Sequence, residues 1–127
     1  TDVTGFSLAG HGLEIARASN VTLEVWAKQL PVLWEALDYA AMGLVPEGTY
    51  RNKNFQKHEV NLEENISEAM EDLIFDPQTS GGLLVCLEET YAREALQSLE
   101  DRGLATSAAI IGQVKEKVEY FLEVCSR

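Results

Sequence analysis

The chain has 127 residues, of which ten are basic and twenty-one acidic, for a formal net charge of −11; 46% are apolar and 24% charged. That mixture is globular rather than disordered or fibrous, and the length suits one core burying roughly two thirds of the surface the unfolded chain exposes. The acidic excess disfavours nucleic-acid phosphates as partners, and no apolar run reaches the roughly eighteen residues that a membrane span requires.

The chain opens Thr1-Asp2 without a methionine and without a basic, apolar leader pattern, which reads as a fragment boundary or a processing site. Gly5 to Ser19 then reads as a helix. Phe6, Leu8, Ala9, Gly12, Leu13, Ile15 and Ala16 share one arc, and Ser7, His11, Glu14 and Arg17 the other. Asn20 suits a left-handed stop. Val21, Leu23 and Val25 alternate with Thr22 and Glu24 at the period of a half-buried strand. Pro31 opens a second helix that Gly43 closes, with Val32, Leu33, Ala36, Leu37 and Ala40 as its buried stripe. Trp26 and Trp34 flank Pro31 and read as core or interface residues.

From Leu44 to Val60 periodicity disappears, and Pro46, Gly48, Asn52 and Asn54 with Arg51, Lys53 and Lys57 predict a long, mobile, basic loop. Asn61 with Glu64 has the form of a capping box, and Ile66, Ala69, Met70, Leu73 and Ile74 follow at helical spacing. Leu83 to Leu87 predicts a strand covered on both faces. Thr90 to Arg102 is a further amphipathic helix before Gly103. Ala108–Val114 and Val118–Val124 read as an antiparallel hairpin turning at Lys115-Glu116-Lys117. Cys86 and Cys125 fall in these strands and read first as small core residues in a reducing compartment, which points to the cytoplasm, with a disulfide as the lesser alternative. The fold class is therefore α+β, a sheet of about four strands packed with amphipathic helices in one domain, 1–127.

Two glycine-bearing stretches are candidates for chemistry. Thr1-Asp2-Val3-Thr4-Gly5-Phe6 places a carboxylate and a hydroxyl just before a helix with free N-terminal amides. Asp2 or Thr4 can cap that helix; alternatively Asp2 is a hard oxygen ligand for Mg²⁺ beside a bound anion. Asp76-Pro77-Gln78-Thr79-Ser80-Gly81-Gly82 is either a tight helix-to-strand turn or the lip of a ligand site. With His11 and His58 the only histidines, neither a zinc site nor a histidine-assisted nucleophile assembles from the sequence.

Taken together these stretches resemble a known family. Thr1 to Phe6, followed by Leu8, Gly10 and His11, is similar to the TDVTGFGLLGH stretch of selenophosphate synthetase (selenide, water dikinase). Asp76 to Leu84 is similar to its DPQTSGGLL stretch, and Gly48 to Asn52 to its GTYRN segment. The likeness covers essentially the whole chain, and it departs at Ser7, where the family has glycine. The resemblance implies a fold like the C-terminal domain of aminoimidazole ribonucleotide synthetase, and a longer enzyme whose N-terminal ATP-binding half lies outside these residues. That enzyme uses ATP, selenide and water to make selenophosphate, AMP and phosphate with Mg²⁺. Its partners would be that N-terminal half and a second copy in a homodimer. By the resemblance Asp2 is a metal ligand, Thr4, Arg51 and Thr79 are nearby candidates for cofactor binding, and no residue here is catalytic. A non-catalytic binding or assembly module, and the C-terminal half of another ATP-dependent superfamily member, are the alternatives.

Overall fold

The computed structural model describes residues 1–104 and 107–127. Among these residues five helices, α1 (Ser7–Ser19), α2 (Trp34–Ala41), α3 (Glu47–Gln56), α4 (Glu68–Phe75) and α5 (Glu89–Asp101), accompany four strands, β1 (Val21–Trp26), β2 (Val60–Leu62), β3 (Gly112–Glu116) and β4 (Leu122–Cys125). The strands form one mixed sheet in the order β2-β4-β1-β3, so the fold is α+β as the sequence predicts.

The core lies between this sheet and the helices α1 and α4. Ala9, Leu13 and Ala16 of α1 meet Leu23 and Val25 of β1, Leu122 and Val124 of β4, Val60 of β2, and Ile74 and Phe75 of α4. Fully burying each larger side chain contributes roughly 1.5–3 kcal/mol. β1 runs through the middle of the sheet, and its polar face is buried too. Thr22 is enclosed because its hydroxyl donates to the Tyr120 carbonyl and accepts from the Val118 amide. Glu24 is 5% exposed, and it accepts from the Trp26 indole, the Gln113 amide and the Lys115 ammonium, with Arg127 at 3.5 Å. The half-buried strand expected here is a central one.

Several expectations are corrected. The predicted hairpin does not form: β3 pairs antiparallel with β1, while β4 pairs with β1 in parallel on the other side. β1 lies between them, with Leu23 and Val25 buried beside Leu122 and Val124 of β4. Lys115 and Glu116 accordingly lie in β3 rather than in a turn. The stretch predicted as a long loop contains α3, a short 3-10 turn at Lys57–Glu59 and β2. α3 is held by hydrogen bonds and ion pairs rather than an apolar stripe, which is why period alone passes over it. Asn61 is a strand residue, and Ser67 caps α4 by accepting from the Met70 amide. Leu83, Val85 and Leu87 are 78%, 62% and 50% exposed, so the run is not a buried strand; only Leu83 bridges, to Asp2. Cys86 is exposed with them, against the core role expected of it, and Cys125 is half-buried in β4. α2 starts three residues after Pro31, and both Leu33, just before it, and Trp34, its first residue, are exposed.

Candidate functional site

The three glycine-bearing segments, far apart in sequence, are tied to one another by hydrogen bonds. The Val3 amide donates to the Gly82 carbonyl at 2.9 Å and the Leu84 amide to the Thr1 carbonyl at 2.8 Å, a short antiparallel clasp. The clasp demands glycine at position 81, where a Cβ would lie 2.0 Å from the Val3 carbonyl oxygen. One residue further along, the Gln78 amide donates to the Thr4 carbonyl. The third segment enters on α3. Asn52 donates from Nδ2 to the carbonyls of Gly5 (3.0 Å) and Phe75 (3.1 Å), and the fully buried Thr49 hydroxyl donates to Asp76 Oδ1 at 3.0 Å. Gln78 donates to the other Asp76 oxygen, and Gly48 lets α3 approach the Pro77 ring.

Between these segments opens a cleft of about 580 Å³, with Gly5 and Phe6 on one wall, Gly48, Arg51 and Asn52 on another, and Pro77 at the rim. The first turn of α3 borders it, so free helix amides and the Arg51 guanidinium bring positive charge to the cleft, beside the Glu47 carboxylate that also lines it. Arg51 is exposed and only loosely paired with Glu47, at 3.9 Å. Lys53, one turn away from Gly48 and Thr49, is committed elsewhere: it bridges Glu71 and the buried Asp72 at 3.1 and 3.2 Å. Burial opposes its charge, but the hydrogen bonds to those two carboxylates outweigh burial and hold its pKa above the ordinary lysine value.

The sequence-level candidates divide clearly. Asp2 is exposed beside the clasp and does not cap α1, whose N-cap is Phe6 without a side-chain cap. Its carboxylate is thus available as a hard oxygen donor. It is a single donor: no group of three or more His, Cys, Asp or Glu able to hold a metal occurs among the described residues. Thr4 does not cap the helix either; its hydroxyl lies 3.0 Å from His11 Nε2. Arg51 lines the cleft, and Thr79 is exposed in the turn that joins the clasp to α4. Ser7 and His11, assigned by periodicity to the polar face of α1, are buried, at 0% and 8% exposure. Ser7 takes φ 71°, a left-handed conformation that favours glycine, and its hydroxyl donates to the Phe6 carbonyl. The tying residues Thr49, Asn52, Asp76 and Gln78 stand inside the glycine-bearing segments but were not singled out, because their role depends on tertiary contact.

Comparison with known proteins identifies the family. The family model "AIR synthase related protein, C-terminal domain" matches residues 1–125. Among curated proteins, a selenide, water dikinase of Clostridium botulinum (strain Alaska E43 / Type E3) is 48% identical over 117 residues, 92% of this chain and 33% of the relative. One from Clostridioides difficile (strain 630) is 42% identical over 98% of this chain and 35% of its own length. A third, from Aliarcobacter butzleri (strain RM4018), is 39% identical over 90% of this chain. The chain spans about a third of the length of the curated relatives it matches.

Proposed function

We propose, from the premise that this chain belongs to the AIR synthase related protein, C-terminal domain, family, that it is the C-terminal domain, residues 1–127, of a selenide, water dikinase. The observation that carries this reading is the convergence of the Thr1–Phe6, Gly48–Asn52 and Asp76–Leu84 segments on one cleft, in a chain 48% identical to such an enzyme. The parent enzyme makes selenophosphate, AMP and phosphate from selenide, ATP and water. This domain closes over an ATP site supplied mainly by an N-terminal half of the same protein, acts as part of a homodimer, and works in the cytoplasm. Among its described residues no helix is long and apolar enough to cross a membrane.

An acidic chain meets a polyphosphate only through a cation, a helix dipole or a local base. Asp2 would hold Mg²⁺ together with donors from outside these residues; the ion would neutralise phosphate charge there. A single exposed carboxylate fits a contribution to such a site, not a whole one. The start of α3 and Arg51, which line the cleft, would offer the anion contacts, and Thr4 and Thr79 border the clasp.

The test is direct. Full-length protein incubated with ATP, Mg²⁺ and selenide should give selenophosphate, AMP and phosphate, resolved by phosphorus NMR. ATP turnover that ignores selenide would support the alternative, another ATP-dependent member of the superfamily. No nucleotide binding at all would support a non-catalytic module.

A further inference from the structure

The clasp stops where an exposed apolar run begins. Thr1 and Leu84 exchange both backbone hydrogen bonds: the Thr1 nitrogen donates to the Leu84 carbonyl at 3.0 Å, and the Leu84 amide to the Thr1 carbonyl at 2.8 Å. Asp2 bridges Leu83 between that pair and the Val3–Gly82 bond, so the register is antiparallel and fixed. Past Leu84 the run continues alone. Val85, Cys86 and Leu87 lead into α5 without a backbone hydrogen bond among the described residues. Leu83, Val85 and Leu87, which period two puts on one face, are all exposed. An apolar edge with bare backbone groups is a template for one more strand.

Extending the register names that strand. Asp2 lies opposite Leu83 and Thr1 opposite Leu84, so the first residue upstream of Thr1 falls opposite Val85, the second opposite Cys86 and the third opposite Leu87. The Thr1 nitrogen is already aimed along this ladder, and in a longer chain it is a peptide N–H that makes the same bond. The chain spans about a third of the length of its curated relatives, so a parent of that size has residues to supply. Joined covalently at Thr1, those residues meet the edge at the high effective concentration of an intramolecular partner. α5 begins at Glu89 and limits the pairing to about three of them.

We infer that residues 84–87 are the docking edge for the segment directly upstream of Thr1, which adds a β-strand there. This inference rests on the reading of the chain as the C-terminal domain of a longer protein. The second upstream residue exchanges both backbone bonds with Cys86, and the first and third meet Val85 and Leu87 side by side across the ladder. The clasp is thereby joined to the preceding half by paired backbone rather than by a free linker.

The test uses the full-length protein with cysteines placed by this register. A cysteine at the first upstream position, combined with Val85→Cys and Cys86→Ser, occupies a non-hydrogen-bonded pair, whose close spacing suits a disulfide. Mild oxidation should link the two within one chain, as peptide mass mapping reads. The same upstream cysteine with Val85 and Cys86 left native meets a thiol on the opposite face of the strand, and should link at least about tenfold more slowly. In the unsubstituted protein, amide exchange followed by NMR should find the Cys86 N–H protected about a hundredfold, and this measurement decides if the cysteine variants do not fold. Preferential linking to the native Cys86 thiol, a link between two chains, no link in either variant, or a Cys86 amide exchanging at the unprotected rate overturns the inference. An in-register link in a protein that makes no selenophosphate leaves the strand standing and fails the reading of the activity. A natural protein whose intact mass shows that it starts at Thr1 fails both.

Discussion

Ser7 adopts φ 71° at the first position of α1, fully buried, where the resembling family places glycine. A side chain held in left-handed backbone costs about 1 kcal/mol, and the hydroxyl returns part of this by accepting from the Gly10 amide. Ser7→Gly should therefore raise stability slightly, by about 0.5 kcal/mol, whereas Ser7→Ala keeps the strain, loses the hydroxyl and should lower it by about 1 kcal/mol. Thermal melts of the two variants beside the parent check the sign. The cysteines offer a second reading at this scale. Burial pushes the Cys125 thiol up, with Glu24 and Glu63 adding to the effect, while Cys86 is exposed. A maleimide at neutral pH should label Cys86 first, and peptide mass mapping that finds Cys125 labelled earlier would contradict the arrangement.

At the scale of elements, α3 joins the three segments, because Asn52 alone bonds to the Gly5 and Phe75 carbonyls. Asn52→Ala leaves two carbonyls unpaired and should cost about 1–3 kcal/mol, with the loss read in denaturant melts. α3 was also the element least legible in the sequence. Glu47 to Gln56 carries no apolar period, and the buried Thr49 and Gln56 are polar residues whose burial follows from tertiary contact. α1, β1 and α4 were legible because Leu13, Leu23 and Ile74 fall on faces that repeat at 3.6 or 2 residues. Leu83 to Leu87 misled for the opposite reason: an apolar run states a preference for burial but not the partner that provides it. The β3–β4 hairpin does not form because β1 lies between the two strands and pairs with both, a long-range pairing that adjacency in sequence does not announce. Of the candidate site, its segments were legible by resemblance, and Arg51 lines the cleft while Asp2 stands exposed in the clasp; the burial of His11 was not legible, since helical period put it on the wet face.

For the whole molecule, a net charge of −11 makes each carboxylate that keeps a cation partner valuable. Glu24 is, with Asp72, among the most enclosed of these. The Trp26 indole N–H, then Lys115 and Arg127, hold its pKa below the ordinary value of 4.5 against the opposing effect of burial. A carboxyl lowered in the folded state stabilises the fold fully above its unfolded pKa, and that contribution is lost as pH falls through the lower folded value. Urea midpoints should therefore fall steeply below about pH 4.5, and Glu24→Gln should flatten that dependence while lowering the midpoint at neutral pH.

Asp2 stands in the clasp that ties two of the three segments together, and the proposed function makes its carboxylate a donor to Mg²⁺. The most direct measurement is a Mg²⁺ titration of activity in the full-length protein with Asp2→Asn, run beside a melting curve. Asparagine is nearly isosteric, and the clasp at Asp2 is made by backbone, so the melting temperature should stay within about 2 °C of the parent. Replacing an anionic oxygen by a neutral amide weakens a hard-cation site, so the Mg²⁺ needed for half-maximal rate should rise about tenfold or more and the maximal rate should drop. An Asp2→Asn enzyme with the parent's rate and the parent's Mg²⁺ dependence would contradict the claim.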